Sequence, residues 1–150
     1  MTTDAWMDLA LQQAQAAADI GEVPVGAILV YQGECIAKAH NLKETRQDVL
    51  AHAEILVIQA AQKKLANWRL TDCELYVTLE PCIMCMGTIL HSRIAKVVYG
   101  AKDLKWGGCG SVVQLNDIEK VNHQVEAVYF PEDRCSTILK DFFKAKRAKS

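Results

Sequence analysis

The sequence has no apolar run approaching the roughly 20 residues that span a bilayer, so nothing in it requires a membrane. It has no excess of either charge. The 17 Lys and Arg against 18 Asp and Glu leave a formal net charge of −1. That balance excludes a global attraction to polyanions, so any nucleic-acid contact has to come from a local basic patch. Residues 1–22 lack the basic start, apolar block and small-residue cleavage site of a secretory signal and carry acids and glutamines instead, so a cytoplasmic protein is expected. Internal repeats and linkers are absent too. The 150 residues are the length of one ordinary domain, expected to span 1–150. A domain of that size buries roughly 70% of the surface its unfolded chain exposes and needs no disulfide staple.

Apolar residues make up 51% of the chain and charged residues 23%, as in a globular protein. Cysteine is present six times, at 35, 73, 82, 85, 109 and 135. In a cytosolic chain, metal binding or catalysis by some of them is the expected use, rather than a disulfide framework.

Thr3 can cap a first helix whose apolar face carries Trp6, Leu9, Ala10, Ala14 and Ala17 and which stops near Gly21. Two strand-like runs follow, separated by the hairpin signal Gln32-Gly33, and Asn41 to Ala51 reads as polar loop. Helical spacing resumes after His52, with Ile55, Ile58, Ala61 and Leu65. A short β-rich run from Glu74 to Leu79 stops at Glu80-Pro81, and a helix restarts after the proline. Strand signals recur at Lys96–Gly100 and Gln124–Phe130, with the Gly-rich segment from Lys105 to Val112 as a loop between them. Asp133 to Lys149 alternates Ile138, Leu139, Phe142 and Phe143 with lysines and arginine, as an amphipathic basic helix does. The order αββαβαββα predicts one sheet with helices on both faces, an α/β fold opening on a hairpin.

Two motifs carry chemistry: His52-Ala53-Glu54 and Pro81-Cys82-Ile83-Met84-Cys85, each at the start of a predicted helix. Cys82 and Cys85 are three apart, so both sulfurs can face one metal, and a helix N-terminus favours the thiolate form that binds zinc. His52 supplies a third ligand. The fourth tetrahedral position is then left to water, as catalytic zinc sites require. A zinc-bound water loses its proton near neutral pH, and Glu54 is placed to accept that proton and deliver it to substrate. H-x-E with P-C-x-x-C is the known signature of zinc-dependent nucleobase deaminases, in which the Glu is not a ligand. Two other classes remain open. A structural zinc module needs a fourth protein ligand, for which Cys35, Cys73, Cys109, Cys135, His40, His91 and His123 are candidates, though none sits at a second paired spacing. A thiol oxidoreductase uses Cys82 and Cys85 but leaves His52 and Glu54 unexplained.

Over nearly its whole length the chain resembles the bacterial tRNA-specific adenosine deaminases. The resemblance is carried by residues 22–27 (EVPVGA), Asn41, Ala51-His52-Ala53-Glu54, residues 75–82 (LYVTLEPC), His91-Ser92-Arg93-Ile94, Gly100-Ala101-Lys102-Asp103, Asn122-His123 and Asp141-Phe142-Phe143. It implies a cytidine-deaminase-like three-layer α/β/α sandwich around a mixed five-stranded sheet. It also implies one Zn2+ per subunit, a homodimer, and conversion of the wobble adenosine of a tRNA anticodon stem-loop to inosine. By position, Asn41 would hold the target nucleoside, the backbone N–H of Ala53 would contact the base, and Asp103, Asn122 and His123 would lie along the anticodon loop. The basic terminal helix, with five cations from Lys140 onward against Asp141, would add phosphate contacts.

The chain departs from the family pattern in two places. Asp48-Val49-Leu50-Ala51 stands where the family usually has Asp-Pro-Thr-Ala, and the loop from Lys105 to Gly110 is bulkier at Trp106. Both segments are expected near the pocket mouth, which keeps a deaminase of a free base or nucleoside, guanine or a cytosine analogue, as the alternative.

Overall fold

The computed structural model describes residues 1–149. Helix α1 (Thr3–Asp19) is capped by Thr2, whose hydroxyl accepts from the Ala5 N–H at 3.2 Å. This corrects the expectation that Thr3 is the cap. The two adjacent threonines are equivalent by composition, and only the backbone decides, with Thr2 extended at the helix entry and Thr3 already in the helix. The face Trp6, Met7, Ala10, Ala14 and Ala17 is buried, and its small residues let the helix lie close on the sheet. At Gly26 a Cβ would overlap the Ala10 carbonyl and the Ala14 nitrogen.

Strands β1 (Gly26–Tyr31) and β2 (Glu34–His40) form the hairpin, turning at Gln32 and Gly33, both with positive φ. Inside the loop that follows lies one helical turn, α2 (Lys43–Arg46), too short to show as periodicity. Then come α3 (Ala53–Leu65), β3 (Cys73–Val77), α4 (Ile83–His91), β4 (Lys96–Tyr99), a 3-10 turn (Leu115–Asp117), β5 (Glu126–Tyr129) and α5 (Asp133–Ala148).

The five strands lie in the order β2-β1-β3-β4-β5. β1 runs antiparallel to both β2 and β3, whereas β3, β4 and β5 are parallel, so the sheet is mixed. Alternation along the strands divides the core in two. Ala27, Leu29, Leu75, Val77 and Val97 face α3 and α4 with Val57, Ile58, Met86 and Ile89. Ile28, Val30, Tyr76 and Val98 face α1 with Trp6, Met7 and Ala10, and Cys135 of α5 joins them. This is the α/β/α sandwich expected. No described helix is long and apolar enough to cross a membrane.

One end of the sheet gathers the carboxyl ends of β2, β3 and β4 and the start of β1. Ligands of open α/β sheets bind beyond strand carboxyl ends. Asn41, Glu80, Cys82 and Asp103 all follow strands at this end.

Candidate active site

His52 and Cys82 are themselves the N-caps of α3 and α4, in extended backbone conformation, and neither side chain makes a capping hydrogen bond. Ser, Thr, Asp or Asn at an N-cap is worth about 1 kcal/mol to a helix, so each position gives up local stability and keeps its side chain free. The freed groups meet. His52 Nδ1 lies 3.7 Å from Cys82 Sγ and 3.5 Å from Cys85 Sγ. Zn–N and Zn–S bonds of about 2.1 and 2.3 Å at a tetrahedral angle put N and S roughly 3.6 Å apart, so the three donors fit a zinc ion. Among the described residues no other group of three His, Cys, Asp or Glu side chains converges this way, and no fourth Cys or His joins this one.

The protonation pattern has the same origin. The Cys85 thiol, donating toward Cys82, and the nearby His52 ring hold the Cys82 thiol down at about 4 despite burial. Cys85 is driven far up by the negative sulfur beside it, and by burial. The hydrogen bond to Cys82 raises His52 above its ordinary value. Glu54 is 3% exposed in the first turn of α3, and burial pushes its carboxyl up to about 7. A group poised there can both take and give a proton near neutral pH.

These residues open on a cavity of about 190 Å³ lined by His52, Ala53, Glu54, Cys82, Asn41 and Asp103, with Val23, Val25 and Leu79 as apolar walls and Lys43 and Glu80 at its edge. That is below the roughly 300–1,000 Å³ of sites for drug-sized ligands and is scaled to one base. Ala53 is the first residue of α3, so its N–H has no partner within the helix and can serve a ligand. The Asn41 amide is tied between loops, donating to the Val23 carbonyl at 3.3 Å and accepting from the Lys43 N–H at 3.0 Å. The Asp103 carboxylate accepts from the Lys105 and Trp106 N–H groups at 3.0 and 3.1 Å, so it also shapes its own loop.

Asn122 and His123 are not part of this pocket. They precede β5, at the opposite end of the parallel strands, where His123 Nε2 meets the Ile94 carbonyl at 2.8 Å. Val49, Leu50 and Trp106 are all exposed, and none of the three lines the cavity itself.

Two further carboxylates, Glu22 and Glu80, are buried beside the pocket, and the sequence motifs assign neither a role. Glu80 accepts from the N–H groups of Asp103, Cys109 and Ser111 at 3.1, 3.2 and 3.1 Å, and from the Ser111 hydroxyl. Glu22 accepts from the N–H groups of Glu44 and Thr45, fixing α2 and with it Lys43, the helix's first residue. Burial would lift the Glu22 carboxyl, but its bonds from Thr45 and Glu44 outweigh that and hold it below its ordinary value. Each carboxylate pins one rim of the pocket. Both lie in stretches that carry the family resemblance, but nothing in the sequence sets their role apart from that of other acids beside strand ends.

A buried carboxyl poised near neutral pH beside one His and two Cys donors that fit a metal ion, in a base-sized pocket at the end of a mixed sheet, matches a deaminase of the cytidine-deaminase-like fold. Residues 1–147 match the MafB19-like deaminase family. The tRNA-specific adenosine deaminase of Bacillus subtilis (strain 168) is 50% identical, over 99% of this chain and 94% of that one. A solved structure from studies of A-to-I editing by tRNA:A34 deaminases at the wobble position of transfer RNA covers 91% of this chain and 99% of its own, with a TM-score of 0.87 at 40% identity. A guanine deaminase structure from Bacillus subtilis aligns over 99% and 95% of the two chains with a TM-score of 0.65 and 26% identity. The chain belongs to the family of tRNA-specific adenosine deaminases.

Proposed function

We propose that this chain, as one deaminase domain spanning residues 1–150, hydrolyses the wobble adenosine of a tRNA anticodon stem-loop to inosine and ammonia. The observation that carries the reading is the convergence of His52, Cys82 and Cys85 beside the buried Glu54 in a base-sized pocket. The 50% identity to a tRNA-specific relative against 26% to a guanine deaminase favours the RNA substrate over the free-base alternative.

His52 Nδ1 and the Cys82 and Cys85 sulfurs would hold one zinc ion, which when bound supplies a water acidified to near neutral pH. Glu54 takes one proton from the attacking water on its carboxylate and passes it to the ring nitrogen beside the amine-bearing carbon, then takes the second proton from the hydroxyl now on that carbon and gives it to the departing amine as the C–N bond breaks and the carbonyl forms. Water and adenosine thus become inosine and ammonia with no other reagent. The Ala53 N–H orients the base, Val23, Val25 and Leu79 enclose it, and Asn41 and Asp103 border the nucleoside.

The terminal half of α5 would bind phosphate. Lys140, Lys144 and Lys146 are exposed there and Lys149 just past the helix end, with Phe143 41% exposed. A homodimer is supported by α4, where Ile83 is 39% exposed and Gly87 would admit a Cβ with nothing within 4 Å. Glycine inside a helix costs about 1 kcal/mol, and no close approach in this chain accounts for it, whereas a partner helix would. All six cysteines are free, in keeping with the reducing cytoplasm.

The test is ammonia and inosine formation by zinc-loaded protein on an adenosine-wobble stem-loop beside a panel of free bases and nucleosides. Inosine confined to the stem-loop is expected. Ammonia from a small molecule with the RNA untouched would overturn the substrate and leave the chemistry.

A further inference from the structure

The loop from Asp103 to Ser111 is held at its base with unusual completeness. Glu80 takes three of its N–H groups and one hydroxyl, Gly107 N–H bonds the Asp103 carbonyl at 2.9 Å, and Gly108 N–H bonds the Pro81 carbonyl at 2.8 Å. Gly107 also pairs with Cys82 in an antiparallel bridge, and a Cβ on it would overlap Glu80. What this fixed base presents outward is Trp106, 63% exposed. Its indole has no ring or cation partner among the described residues. The other exposed tryptophan, Trp68, differs, with Arg69 4.5 Å and Arg93 5.8 Å from its ring.

Distance sets what Trp106 can reach. Bridged Cα atoms lie about 4.5–5.5 Å apart and successive ones about 3.8 Å, so Trp106 Cα is within about 9 Å of Cys82 Cα. That is one nucleotide's reach from a base seated in the pocket. Charge agrees, because Lys105, the residue before Trp106, is exposed while Lys102 is engaged on the Tyr129 ring at 4.9 Å.

We infer that Trp106 is a stacking platform for the nucleotide flanking the target adenosine, with Lys105 serving that nucleotide's phosphate. The inference rests on the RNA substrate proposed above and adds how the chain selects an unstacked strand. An aromatic face on an immobile loop gives up little conformational freedom when a base stacks on it, and a splayed loop base has a face to offer. A stem that keeps its bases stacked cannot use it.

The experiment measures affinity for the anticodon stem-loop in the Glu54→Gln background, where the target is not consumed. Trp106→Ala is compared with Trp106→Phe on the intact stem-loop and on stem-loops made abasic at each position flanking the target. Trp106→Ala is expected to weaken binding about 5- to 150-fold, the range for one base–aromatic stack. Trp106→Phe should keep most of the affinity, and the salt slope should be unchanged because the indole carries no charge to neutralise a phosphate. On one of the abasic stem-loops the loss should vanish. Unchanged affinity in Trp106→Ala, equal weakening on every abasic stem-loop, or an altered oligomeric state without altered affinity would overturn the assignment. If Trp106-containing protein active on the stem-loop is indifferent to Trp106→Ala, this inference alone fails. If that protein neither binds nor deaminates the stem-loop, the substrate reading fails with it.

Discussion

Replacing Glu80 with Gln keeps the side chain's shape and removes one acceptor end. The carboxylate is 1% exposed, with Asp103 N–H and the Ser111 hydroxyl on Oε1 and the Cys109 and Ser111 N–H groups on Oε2. The amide oxygen can serve one pair only. With the NH2 at the Oε1 position the Ser111 hydroxyl can reverse and accept, but the Asp103 N–H then faces another donor. An orphaned buried N–H costs about 1–3 kcal/mol, and the bonds that remain lose their charge assistance, about 1 kcal/mol each. The expected loss is about 4 kcal/mol, or roughly 8–16 °C in Tm for a chain of this size. Denaturant unfolding would read the global loss, and hydrogen exchange at Asp103, Cys109 and Ser111 would show whether the rim opens locally first. An unchanged midpoint with those amides still protected would refute Glu80 as the rim's anchor.

In metal-free protein, Glu54 takes up a proton on folding between its ordinary 4.5 and about 7. The stability this gives is fully present below the lower value and is lost as pH rises through the upper one. Glu54→Gln should therefore gain stability on the unsubstituted protein between about pH 5 and pH 8, and parallel pH profiles in thermal unfolding would contradict the burial. Ala66 closes α3 in the left-handed region at φ 51, where glycine is at ease, so Ala66→Gly should stabilise by about 1 kcal/mol with activity unchanged. A fall in Tm would count against it. Replacing Lys144 and Lys146 with Ala should weaken stem-loop binding and flatten its salt dependence by about 0.7–0.9 in log–log slope for each phosphate no longer neutralised. Binding isotherms that match at every salt concentration would remove α5 from the RNA surface.

The helices and strands were legible because the hydrophobic period, the Gln32-Gly33 turn and the proline before α4 all act locally. His52-x-Glu54 and Cys82-x-x-Cys85 were legible for another reason, since ligand spacing on a helix start is itself local geometry. That His52 and Cys82 are poor N-caps is a cue in the same register, since rules of local stability are broken most often at functional sites. Glu22 and Glu80 could not be found this way. Their partners are backbone N–H groups 22 to 31 residues further along, brought near only by the folded sheet. Nor does the sequence show that Asn122 and His123 lie at the other end of the parallel strands from the cavity, because a residue's place along the chain does not fix which end of a strand its loop occupies.

The most direct test of the central claim is single-turnover inosine formation in one adenosine-wobble stem-loop by the zinc-loaded protein and its Glu54→Gln variant, each at matched zinc content. Inosine from the first and a rate at least about 100-fold lower from the second, with zinc retained, is the predicted result. Comparable rates from the two would contradict Glu54 as the proton carrier, and no inosine from either would contradict the reaction itself.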